Sequence, residues 1–310
     1  MNQKTQISYP VQFLLLIGLV GVGMIIGSVI MAALGSSLLD VPLLKVPDAM
    51  NKPENANISR FLNTAATLLA FFVPAVVFAK IVDRTPPLNY LGFNLKMSRK
   101  QIMLVILITF AGMILSGALG MLNQDIPLSG KWLKKAKELE QTYKDVMLNM
   151  ASMKNAGDFI LAILVMALAP AIFEEVLFRG AFQKIFIQWT KNAWVGIIIT
   201  SILFSAIHFS YFGFLPRIAL GMILGLIFYY TNNLWLSTLQ HFLHNGFIVT
   251  QLYIVQSKGK SVEEAMDETM PIWWGLVGLA LLILLFKQLY KEKLITTSPV
   301  ISSDSINLNE

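Results

Sequence analysis

Residues Ala169 to Ala181 read A-P-A-I-F-E-E-V-L-F-R-G-A, and they place Glu174, Glu175 and Arg179 inside an apolar run that begins near Phe159. A charged side chain at membrane depth is costly and marks either a buried pair or a working site. Two more apolar runs carry histidine, Ile207-His208-Phe209 and Gln240-His241-Phe242-Leu243-His244-Asn245. All three histidines of the chain lie in those two places. Charge and imidazole are thus concentrated where the sequence is otherwise most hydrophobic.

The 310 residues are 55% hydrophobic and 14% charged, with a mean hydropathy of +0.64. Soluble domains carry about 25% charged residues, so the chain reads as an integral membrane protein. It has no cysteine, which excludes disulfides, thiolate metal sites and cysteine nucleophiles. The net charge of +6 suits basic loops beside an anionic bilayer surface. Arg and Lys do not cluster with aromatics, so no nucleic acid is expected as a partner.

In chain order, apolar runs occupy residues 11–34, 61–82, 102–122, 159–189, 193–209, 217–230, 234–255 and 272–289. The first is too long for a secretory signal core of roughly 7–15 residues and reads as a retained span. Gly23/Gly27 and Gly221/Gly225 stand at the small-xxx-small spacing of close helix contacts. Residues 35–59 read as a polar loop. Over 130–152, Trp132, Leu133, Ala136, Leu139, Tyr143, Val146, Met147 and Met150 recur at helical spacing between lysines and glutamates. That pattern is an amphipathic helix lying in the interface or capping the bundle, a plain interfacial helix in preference to a substrate gate.

The expected fold is therefore all-α: a polytopic membrane bundle of about eight transmembrane helices plus one amphipathic helix. A single membrane-embedded domain spans 1–295 with its motif core at 157–255, followed by a disordered tail at 296–310. Counting Lys and Arg on the short loops places both termini in the cytoplasm.

Adjacent glutamates on a helix point about 100° apart, so Glu174 and Glu175 cannot serve one site equally. Glu175 and Arg179 are four apart and can pair, and the simplest division leaves Glu174 for a cavity that a kink at Pro170 would open; the exchanged roles are the alternative. Phe204 and His208 are four apart on the next run, and a hairpin turning at Asn192 brings His208 level with Glu174. His241 and Asn245 share a face of a third run. A carboxylate in an apolar pocket can act as general base. Histidine and asparagine opposite it can donate to a developing oxyanion. The set suits attack of water on a peptide or ester carbonyl. It lacks HExxH, although zinc could take Glu174, His208 and His241 with water in the fourth place. Interhelical glue and a proton-coupled transporter are the competing readings. His244 fits either a core or a supporting role.

E-E-x-x-x-R at Glu174–Arg179, F-x-x-x-H at Phe204–His208 and H-x-x-x-N at His241–Asn245 resemble, in order and spacing, the CAAX protease and bacteriocin-processing enzyme family. These intramembrane endopeptidases are also called the type II CAAX prenyl endopeptidase or Abi family. The resemblance covers Ala169 to about Ile248. It implies that Glu174 activates water with His208, that His241 and Asn245 stabilise the oxyanion, and that Glu175 and Arg179 hold the helix. It leaves open whether zinc takes part. His244 is not in the family's pattern. The implied substrate is a membrane-associated protein or peptide, of the prenylated CAAX type or the pheromone or bacteriocin type. A non-proteolytic immunity or scaffold protein of the same family is the alternative. The sequence is silent on oligomeric state.

Overall fold

The computed structural model describes residues 7–259 and 271–297, with side chains through residue 292. Its principal helices are α1 Tyr9–Leu39, α2 Pro53–Val82, α3 Arg99–Gln124, α4 Gly130–Met150 and α5 Ala156–Thr190. They continue as α6 Ala193–Ala206, α7 Phe214–Thr231, α8 Leu234–Ser257 and α9 Trp273–Thr297. The fold is a polytopic helical bundle. Of the tail expected at 296–310, residues 296–297 belong to α9, and 298–310, like residues 260–270 of the loop before the last span, lie outside the described residues.

Local sequence sets the helix ends. Ser98 and Gln101 form a reciprocal capping box at the start of α3. Asn155, Asn192 and Asn233 each cap a helix by accepting a backbone N–H, opening α5, α6 and α8. Lys191 and Asn232 take the left-handed conformation that ends α5 and α7. These tight turns fix the α5–α6 and α7–α8 hairpins.

Two helices widen ahead of a proline. Residues 68–72 of α2 and 163–168 of α5 are π-helical, and Pro74 and Pro170 follow within a turn. Proline has no N–H to donate and crowds the carbonyl four residues back, and a π turn accommodates both. The polar stretch 35–59 differs from expectation. It holds the short helix Val46–Met50 and the first turns of α2, which begins at Pro53. Ser59 and Asn55 there bond the Met50 and Ala49 carbonyls, so side chains organise what composition alone reads as loop.

Six of the helices are long and apolar enough to cross a membrane among the described residues. Two of the eight expected spans depart from that standard. α8 has 24 residues, but Gln240, His241, His244 and Asn245 make it polar. α6 has only 14 residues, about 21 Å of helix against a hydrocarbon core of about 30 Å.

The hairpins pack through small residues. A Cβ on Gly221 would lie 2.9 Å from Ser201 Cα, and one on Gly225 would lie 2.9 Å from an Ile197 methyl. α6 and α7 therefore meet with almost no side chain between them. Gly221→Ala is expected to push them apart at a cost of about 1–3 kcal/mol, seen as a lower melting temperature in detergent. Gly18→Ala, with nothing within 4 Å of its added carbon, should show no loss.

Candidate active site

The site starts from α5, whose adjacent glutamates diverge as helix geometry requires. Glu175 is fully buried and Glu174 is 8% exposed. Arg179, also fully buried, donates Nη1–H to Glu175 Oε1 at 2.9 Å and Nη2–H to the Gly221 carbonyl at 3.0 Å. Its guanidinium stacks 4.8 Å from the centre of the Phe204 ring. His241 Nδ1 lies 3.2 Å from the same Glu175 oxygen. One ion pair thereby ties α5 to α6, α7 and α8.

Glu174 faces a cavity of about 400 Å³ whose wall also carries Phe204, His208, Arg217, His241, His244 and Asn245. Met166, Ala169 and Pro170 border it as well, so the space beside Glu174 opens at the widened turn. Three spans separated in sequence bring every motif face to one volume. His241 Nε2 stands 3.9 Å from Glu174 Oε2, despite the few residues of α8 that precede it.

Hydrogen bonding fixes the imidazole tautomers. His208 lies two residues past the last residue of α6, and its Nδ1 is 2.9 Å from the Phe204 carbonyl. A carbonyl only accepts, so Nδ1 carries the proton and neutral His208 leaves Nε2 as a lone pair. The same bond satisfies one of the orphan carbonyls at the helix end. His241 donates from Nδ1 to the Glu175 carboxylate, and its Nε2 is an acceptor whenever the ring is neutral. Glu174 and the two Nε2 atoms form a set of acceptors suited to holding and deprotonating water.

That donor set is also the chemistry zinc would take. Among the described residues, however, no three His, Asp or Glu side chains converge closely enough to hold a metal ion. The zinc ligands expected from sequence, Glu174, His208 and His241, line one cavity without forming a coordination shell.

Several wall residues were not singled out in the sequence as site residues. Arg217 enters from the first turn of α7, donating to the Ser210 carbonyl at 3.3 Å and to Ser210 Oγ at 3.0 Å. Its guanidinium lies 4.9 Å from the centre of the Tyr143 ring of α4. A charge at the mouth of an apolar run was the available signal. Tyr143, Val146, Met147 and Met150 show that α4 is a wall of the cavity and more than an interfacial helix. Arg60 holds the far end of α4 by donating to the Met150 and Ser152 carbonyls at 2.9 and 2.6 Å. His244 is 9% exposed and its Nδ1 has no hydrogen-bond partner.

Glu175→Gln would leave Arg179 buried without its counter-charge, at an expected cost of about 3–5 kcal/mol. Thermal unfolding in detergent should show that loss. The double variant Glu175→Gln/Arg179→Met should recover much of it by removing both charges.

Residues 156–247 match the family model described as type II CAAX prenyl endopeptidase Rce1-like. The chain is also similar to the uncharacterized protein YpbD of Bacillus subtilis (strain 168), with 31% identity over 94 residues. That match covers 29% of this chain and 45% of the relative. No solved structure matches significantly. The family resemblance drawn from the three motifs thus holds over the segment that contains them.

Proposed function

From the Rce1-like region at residues 156–247 we propose that this integral membrane protein is an intramembrane endopeptidase. The observation that carries the reading is the convergence of Glu174, His208, His241 and Asn245 from three helices on one largely apolar cavity. The substrate is a membrane-associated protein or peptide. Met147, Phe173, Ile248 and Leu252 on the walls suit an apolar segment beside the scissile bond.

In the proposed reaction Glu174 takes a proton from water while His208 Nε2 accepts its other hydrogen. The water oxygen bonds to the carbonyl carbon, and the carbonyl electrons move to an oxyanion. Asn245 donates an amide hydrogen to that oxyanion. His241 can donate from Nε2 only after taking up a second proton, because its first is held by Glu175. Collapse of the intermediate breaks the C–N bond, and the proton from Glu174 leaves with the amine. Apolar walls strengthen each of these electrostatic contacts. Glu175 and Arg179 position the helix and do not touch substrate.

The test is cleavage of quenched, membrane-anchored peptides by the protein reconstituted in liposomes. Glu174→Gln should lose about 10²–10⁴-fold in kcat/KM with its melting temperature retained, and His208→Ala should also lose activity. Loss with a chelator and recovery with zinc would add a metal to the scheme. Undiminished cleavage by folded Glu174→Gln would overturn the reading.

We further place both termini on the cytoplasmic side. The absence of cysteine makes this directly testable in intact cells. A membrane-impermeant thiol reagent should label Lys137→Cys and leave Thr85→Cys and Lys191→Cys untouched.

A further inference from the structure

Three side chains of α2 stand on the cavity wall and have no part in the proposed chemistry. Asn63, Thr64 and Thr67 line it together, and their spacing keeps them within an arc of about 100° on the helix. Each donates back along its own helix. Asn63 Nδ2–H bonds the Ser59 carbonyl at 2.8 Å, Thr64 Oγ1–H the Arg60 carbonyl at 2.7 Å, and Thr67 Oγ1–H the Asn63 carbonyl at 2.8 Å. A hydroxyl has one proton, so both threonines have spent theirs and remain as acceptors. Asn63 keeps its Oδ1 as an acceptor and a second amide hydrogen as a donor.

Back-bonding of this kind lets a polar side chain sit on any face of an apolar helix. Over residues 61–82 the polar side chains are these three and Lys80, so the uncharged oxygens are gathered on the face that borders the cavity. The row also lies close to the reacting groups. α2 packs against the glutamate-bearing turn of α5, where the rings of Phe72 and Phe173 meet edge to face with centres 5.8 Å apart. Asn63 and Thr67 are four residues apart, about 6 Å along the helix axis. In an extended peptide every second N–H points the same way, about 6.5 Å from the last. The two repeats nearly coincide. A helical segment has its N–H groups bonded internally and offers none to such a row. The α4 wall is apolar at Val146 and Met147, and a main-chain N–H brought into the cavity is costly if it stays unpaired.

We propose that Asn63 and Thr67, with Thr64 between them, accept main-chain N–H groups of an extended substrate segment, so that α2 is the edge along which the peptide is laid. These are specificity-determining residues. They favour a segment that has lost its helix and reject one that carries proline at a position they read. The proposal rests on the endopeptidase reading for the bond cleaved, but binding along the row does not.

The experiment takes one membrane-anchored quenched peptide, chosen from a library for binding to Glu174→Gln. Each backbone N–H around the scissile amide is replaced in turn by an ester oxygen, which removes the donor with little change of shape. Cleavage of the set at that amide by the full-length protein is followed in liposomes, and binding is measured on Glu174→Gln. In wild type, esters at two positions two residues apart should each lose roughly twofold to tenfold in kcat/KM, the worth of one hydrogen bond. Thr67→Val keeps the branched shape without the oxygen. It should cleave the parent peptide more slowly by the same factor and show no ester penalty at one of the two positions, with the other penalty unchanged. Asn63→Leu should do the same at the other position. Thr67→Ser, which retains the hydroxyl, should keep both penalties. Esters tolerated equally at every position by wild type would overturn the proposal. So would penalties that persist unchanged in Thr67→Val and Asn63→Leu, the signature of residues that only brace α2. Position-dependent binding to Glu174→Gln without any cleavage by wild type would sink the endopeptidase reading and leave the row standing.

Discussion

The ion pair of Glu175 and Arg179 is the contact on which the rest of the site hangs. Both partners have zero exposure, and burying two charges is worthwhile only when geometry and further hydrogen bonds compensate their desolvation. Here the compensation comes from elsewhere in the fold. Arg179 uses the Gly221 carbonyl and the Phe204 ring, and Glu175 accepts from His241. Because each compensating group sits on a different helix, the pair reaches its low energy only when α5, α6, α7 and α8 are all seated. Glu174, one residue away, inherits its aim from that assembly.

The same logic explains the small residues. The Gly221 carbonyl can reach Arg179 because no side chain keeps α7 away from α6. The backbone of α7 becomes a hydrogen-bonding surface for a buried arginine. Packing and electrostatics are one constraint here, and α7 could not satisfy it with a bulky residue at position 221.

Much of this was legible in the residues. The apolar runs, the turn at Asn192, the amphipathic repeat and the pairing distance of Glu175 and Arg179 follow from periodicity and side-chain chemistry. The remainder depends on meetings between elements distant in sequence. Tyr143 meets Arg217, Arg60 meets the end of α4, and His241 comes to lie between two glutamates. No local pattern encodes such pairings. The π turn ahead of Pro170 was legible only as a kink, because a proline announces a disturbed ladder without saying how the helix absorbs it. Residues 35–59 were misread as loop for a related reason: their short helices are fixed by side chains bonding back to nearby carbonyls.

The brevity of α6 bears on how the proposed hydrolytic site would obtain its second reactant. A helix about 9 Å shorter than the hydrocarbon thickness forces the lipid to thin or the polar surface to dip beside it. At the end of α6 stands His208, followed by irregular backbone up to Phe214 of the kind that membranes accept only against protein or a cavity. The lysine-bearing α4 roofs this end. Under the proposed reaction this thin side is where water would reach Glu174, and a locally thin bundle would be the means of supplying it.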